Sequence, residues 1–165
     1  MNLKLILAFL LVSFSIVFSQ NPKPCSVPES KQFDFWIGDW KASWADTASG
    51  SNSISKILGG CVIYEQFSGS SSSPLVGKSV SVYNSRTGKW HQTWVDNQGG
   101  YLDFEGQWEG DKMVLSRTFE LKGKKIMQRM IWFNISADKF DWNWERSDDD
   151  GTTWKIVWPI HYTRK

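Results

Sequence analysis

The chain has 165 residues, 19 of them basic and 17 acidic, and 41% of it is hydrophobic. That length makes one domain with a real core, and so small a net charge gives no general attraction to nucleic acid or acidic lipid. Eleven tryptophans are the unusual number. Each is large and carries a single N–H donor, which suits cavity linings as well as plain core packing.

Residues 1–19 read as a cleavable signal peptide. Lys4 gives a positive start, and Leu5 to Phe18 is apolar apart from Ser13 and Ser15. This run is shorter than the roughly 20 residues of a bilayer span. Cleavage is expected between Ser19 and Gln20, and an uncleaved anchor is the other reading. No cysteine closes the apolar run, so a lipoprotein is not expected. Loss of Lys4 leaves 18 basic against 17 acidic residues. The expected product is secreted or periplasmic, with no membrane contact after cleavage.

Residues 20–32 form a Pro-rich arm, with a short helical turn expected over Ser30 to Phe35 and Ser30 as its cap. Cys25 and Cys61 are the only cysteines. In an oxidising compartment an even pair most simply forms one disulfide, tying the arm to the second strand. Two buried free thiols are the alternative. Neither cysteine lies in a C-x-x-C motif, and with two histidines in the chain no metal site is expected.

From residue 33 to 165 short aromatic and β-branched runs alternate with turn clusters, the pattern of an all-β domain. Leu102, Phe104 and Trp108 oppose Asp103, Glu105 and Gln107. Phe140, Trp142 and Trp144 oppose Asp141, Asn143 and Glu145. Trp154, Ile156, Trp158, Ile160 and Tyr162 oppose Lys155, His161 and Thr163. Each set gives a strand with one dry and one wet face. Turn signals lie at 84–88, 96–100, 109–111, 121–124 and 147–152. About nine or ten strands joined by short hairpins predict an up-and-down antiparallel β-barrel, because closure removes exposed edges. A two-sheet sandwich is the rival. The Ser-rich loop 69–74 is either a surface connection or a flap near the mouth.

Ser147 to Trp154 matches the Asp-box pattern S-x-D-x-G-x-T-W. It occurs once, which excludes a propeller and reads as a hairpin staple. Three further segments, Phe33 to Trp40, Ile57 to Val62 and Gly88 to Asp96, together with this hairpin resemble the DUF1579-type family. These are small, often secreted bacterial proteins without an assigned activity. The resemblance implies a lipocalin-like (calycin) barrel and an envelope setting, and supplies no substrate. The chain departs from the family in having Asp141-Trp142 where many members carry Arg-Gln, and His161 where they carry leucine.

An eight- to ten-stranded barrel can enclose one small ligand. Glu65, Gln92 and Arg129 share strand faces with apolar neighbours. They are expected to point into the lumen among Trp90, Trp94, Trp132 and Trp142, orienting an apolar or aromatic ligand. The bland reading is a buried Glu–Arg pair that fixes strand register. No nucleophile elbow, metalloprotease helix or phosphate-binding loop is present, so no catalytic residues are assigned and an enzyme is not favoured. Nor is a cofactor expected. His161 near the C-terminus loosely resembles the haem ligand of nitrobindin-like barrels, which keeps haem as an alternative. The leading expectation is therefore a secreted binding protein for a small molecule. The rivals are a barrel hydrolase, isomerase or lyase using Glu65 and Arg129, and a structural envelope module. A lumen plugged by tryptophans, with no cavity of a few hundred Å3, would leave only the last.

Overall fold

The computed structural model describes residues 25–45 and 48–165. The proposed signal peptide lies outside them. Ten antiparallel strands follow one another along the chain: β1 Gly38–Trp44, β2 Ala48–Ile57, β3 Val62–Gly69, β4 Val76–Asn84, β5 Lys89–Asp96, β6 Tyr101–Glu109, β7 Lys112–Leu121, β8 Lys124–Phe133, β9 Lys139–Ser147 and β10 Lys155–Arg164. Each pairs with the next, and β10 returns to β1, with Trp40 opposite Arg164 and Ser43 opposite His161. The sheet is thus a closed up-and-down barrel, and the sandwich is excluded.

The expected alternation holds along most strands. Trp40 and Ala42, Ile63 and Phe67, Phe140 and Trp142, and Ile160 and Tyr162 are all buried in one core. β10 departs from it. A register shift between Ile156 and Trp158 inserts one extra residue, so the dry face begins at Trp158. Ile156 and Val157 are more than half exposed as a result.

β4 is inverted relative to its hydrophobicity. Val76, Val80 and Val82 are exposed, whereas Gly77, Ser79 and Ser81 are buried. Small polar side chains inside this strand leave room for the larger groups of β3 and β5 that face them.

One end of the barrel is plugged. Two short 3-10 turns, Pro28–Lys31 and Asp34–Trp36, cross beneath it. Ser30 lies inside the first turn rather than capping one, and its Oγ–H is shared between the carbonyls of Val27 and Cys25. Phe33 is fully buried, with its ring edge-on to Trp90 at 4.8 Å and to Trp132 at 5.1 Å. Trp90 Nε1 donates to Gln32 Oε1, and Trp40 Nε1 donates to the Trp36 carbonyl.

The Cys25–Cys61 disulfide pins this plug, joining it to the turn that enters β3 rather than to the second strand. It closes a separation of 36 residues, worth roughly 3–4 kcal/mol by loop entropy. Reduction is expected to lower stability by that amount in chemical denaturation, with the barrel's circular dichroism retained before the transition.

The Asp-box staples the β9–β10 hairpin as expected. Ser147 Oγ accepts from Gly151 N at 2.9 Å, and Trp154 Nε1 donates to the Gly151 carbonyl. Asp149 accepts from Thr153 through both its backbone N–H and its hydroxyl. These bonds, the Thr153 hydroxyl foremost, hold its carboxyl well below the usual range, at about 2. Both its oxygens are committed to the turn.

Candidate functional site

The opposite end of the barrel is open, and a cavity runs from it towards the plug. Trp36 and Trp132 line its floor, and Phe67, Trp142, Ile160 and Tyr162 form its wall. Leu75, Trp94, Asp96, Leu102 and Trp158 stand towards the mouth. The loop 70–75 lies at this mouth, with Leu75 contributing directly. Gly77 is required here: a Cβ on it would lie 2.0 Å from the Trp94 ring, so only glycine lets that indole lie over β4.

The cavity holds about 90 Å3, within about 630 Å3 of atom-free space that continues through the mouth. The smaller figure describes what an enclosed ligand can occupy. It is below the roughly 150 Å3 that encloses a benzene ring in an engineered protein core. The enclosed volume thus falls short of the few hundred Å3 expected, but the lumen is narrowed rather than plugged, because the atom-free space continues through the mouth. Six tryptophans, Trp36, Trp94, Trp132, Trp142, Trp144 and Trp158, line this space.

One carboxyl dominates the interior. Glu65, on β3, is 7% exposed. Its Oε1 accepts from Asn52 Nδ2 at 2.7 Å and its Oε2 from Ser79 Oγ at 2.5 Å. Burial pushes this carboxyl up to about 7, against the opposing pull of the Ser79 and Asn52 bonds. Tyr162 stands on the far side of Asn52, its hydroxyl 3.5 Å from Nδ2. Burial, with the Glu65 charge adding to it, raises that phenol. A second polar pair, Gln92 Nε2 donating to Ser81 Oγ at 2.9 Å, sits one strand further round.

At the rim Asp96 accepts from Trp94 Nε1, Gly100 N and Gln98 N. These bonds lower its carboxyl and keep it ionised. Three buried indole N–H groups on the cavity lining, those of Trp36, Trp132 and Trp144, have no acceptor among the described residues. These nitrogens have almost no accessible surface, so they are buried within the wall.

Five of the seven expected site residues line this cavity: Glu65, Gln92, Trp94, Trp132 and Trp142. Trp90 does not. It is packed under Phe33 and Tyr83 at the plugged end. Arg129 is on the outer face of the barrel. Its guanidinium bonds Glu145 at 2.6 Å and lies 4.0 Å from the Trp154 ring centroid. The reason is parity. Residues 129 and 132 stand an odd number apart on a strand without a bulge, so only one of them faces in, and Trp132 is the larger apolar group. The Glu65–Arg129 pairing is thus formed neither as a structural pair nor as a catalytic one. His161 also points outward, 71% exposed, with Nδ1 at 2.6 Å from Asp141 Oδ1. A haem held by His161 would sit outside the barrel wall, not in its lumen.

The sequence reading missed Trp144, Trp158 and Tyr162 as lining residues, although each shares the dry face already assigned to its strand. It missed Asn52 and Ser79 for a different reason. β2 runs Ala-Ser-Gly-Ser-Asn-Ser-Ile-Ser, where only Ile54 betrays which parity faces in.

β6 and β7 pair only from Glu105↔Ser116 to Glu109↔Lys112. Towards the mouth they part, leaving a polar side cleft lined by Asp103, Arg117 and Thr118. Gln92 and Phe104 border both this cleft and the cavity.

No family model matches the chain, and no curated protein does. Among solved structures, that of Rv2717c from M. tuberculosis is similar, with a TM-score of 0.53 at 12% identity, covering 84% of this chain and 98% of that one. At that identity the likeness concerns the fold alone.

Proposed function

We propose that this protein is an exported binding protein for a small molecule held in the barrel lumen. The observation that carries the reading is the joining of an open, aromatic-walled cavity to a buried carboxyl with spare acceptor capacity. Glu65 is a buried carboxyl held by two neutral partners and no cation, a costly group for a core that serves only to fold. The enclosed volume, short of the few hundred Å3 looked for, confines the reading to a small guest or to one group of a larger one. A ligand of a few heavy atoms fits wholly inside, whereas a larger one inserts a single group and leaves its body at the mouth. The Cys25–Cys61 bond supports an oxidising compartment. The apolar N-terminal run and the DUF1579-type resemblance agree with export.

Native mass spectrometry of the protein purified from its own host tests this. A non-covalent low-mass adduct is expected, displaced on unfolding. Bare protein, together with no response to any small ligand in the titrations below, would leave the structural module as the better account.

A further inference from the structure

We infer that the ligand of this cavity is a small organic cation, an alkylammonium or amino alcohol, with Glu65 as its counter-charge. The inference rests on the binding reading above and narrows it to one class of chemistry.

Two glutamates in the described residues are buried to the same degree, Glu65 and Glu145, each 7% exposed. Glu145 has a cation of its own, the Arg129 guanidinium at 2.6 Å. Glu65 has none, since both its partners are neutral, Asn52 and Ser79. The charge census of the cavity agrees. Its lining holds two carboxyls, Glu65 and Asp96, and no lysine, arginine or histidine. Of the two basic side chains of the adjoining cleft, Arg117 donates to Gln128 and lies over the Phe119 ring at 4.5 Å, and His91 is on the outward face of β5, opposite to Trp90 and Gln92. A positive charge entering the lumen therefore meets two acids and no resident competitor.

The walls favour the same guest. Trp94, Trp142, Trp144 and Trp158 line the cavity with Phe67 and Tyr162. Aromatic faces attract ammonium groups, more strongly when the site is desolvated. An ammonium also brings donors, which the Glu65 carboxylate can still accept. Fatty acids and other anions are disfavoured by the same census, because they would bring like charge to Glu65 and Asp96.

The groups that set the pH response can be named. Tyr162 on β10 stays neutral, and Asp96 on the β5 rim stays ionised. The neighbours Asn52 on β2 and Ser79 on β4 do not titrate. Glu65, lifted to about 7 by its burial, is the group that changes charge near neutrality. Cation binding is expected to weaken as pH falls through that value.

The test uses three probes of matched size, butylammonium, 1-butanol and butyrate, titrated into the full barrel and followed by tryptophan fluorescence. At about pH 8, butylammonium is expected to bind at least about tenfold more tightly than butanol, the factor one charge-assisted contact supplies. The preference is expected to vanish in Glu65→Gln and to shrink in the wild type at about pH 5. The wild-type pH series stands by itself if the variant does not fold. Equal binding of butanol and butylammonium, or a preference for butyrate, overturns the cation and leaves the binding reading intact. No binding of any probe overturns both.

Discussion

Phe33→Ala is expected to destabilise the barrel by about 3–5 kcal/mol, the range for truncating a fully buried aromatic. The side chain has no exposure and packs against Phe35, Trp36, Trp90 and Trp132. It is the centre of the plug that closes one end of the lumen. Its removal is expected to open the floor as well as to weaken the core, because Trp36 and Trp132 lose the ring that holds them. Urea denaturation measures the first effect. Tryptophan quenching by acrylamide measures the second and should rise in the folded state. A loss under about 1 kcal/mol would mean that the plug is dispensable and the barrel wall stands without it.

Glu65→Gln is expected to change the pH dependence of stability rather than simply lower it. The native carboxyl titrates at about 7 and its ordinary value is 4.5. The native state therefore holds this proton more tightly than the unfolded chain does. The resulting stabilisation is complete below about pH 4.5 and is lost as pH rises through about 7, a fall of about 3 kcal/mol. Glutamine has no such titration. The variant should thus gain on the wild type across this interval, the difference levelling off above it. Carboxyls with lowered values, Asp96, Glu105 and Asp149, work in the opposite sense at acid pH and are common to both proteins. The comparison isolates Glu65 for that reason. Parallel stability curves for the two proteins would show that Glu65 is not held in an environment that resists its charge.

Much of this fold is written in the period-two alternation of strands with one wet face. Phe140, Trp142 and Trp144 announce their orientation in the sequence, and so do Leu102 and Phe104. The pattern fails where the interior is polar or both faces are apolar. β4 buries serines and exposes valines because its inner face meets Glu65 and Gln92, and hydropathy alone points it the wrong way. β8 carries Ile126, Met130, Ile131 and Trp132, all buried, on both of its faces. The Asp-box hairpin covers the outer face there, with Trp154 stacked on Arg129. Nothing local in β8 reveals that cover, so Arg129 reads as an inward residue among apolar neighbours.

The candidate site is legible in the same uneven way. Glu65 stands out because Ile63 and Phe67 flank it at the inward parity, and Gln92 because Trp90 and Trp94 do. Their partners Asn52, Ser79 and Ser81 lie in serine-rich strands, where no contrast marks a face. The size of the cavity is beyond the pattern altogether. It depends on how far the six lining indoles interdigitate, and on the plug built from residues 28–36, which a reading of strand faces does not include.

The indole N–H resonances of the tryptophans test most directly whether the lumen is a binding chamber. In a titration with butylammonium followed by 1H–15N spectra, Trp132, Trp142 and Trp144 should shift together along one saturating curve. Trp154, whose N–H is bonded to Gly151 on the outer hairpin, should stay in place. Shifts confined to Trp154 and other outer-face residues, or no saturable change in the lumen tryptophans with any of the three probes, would contradict it.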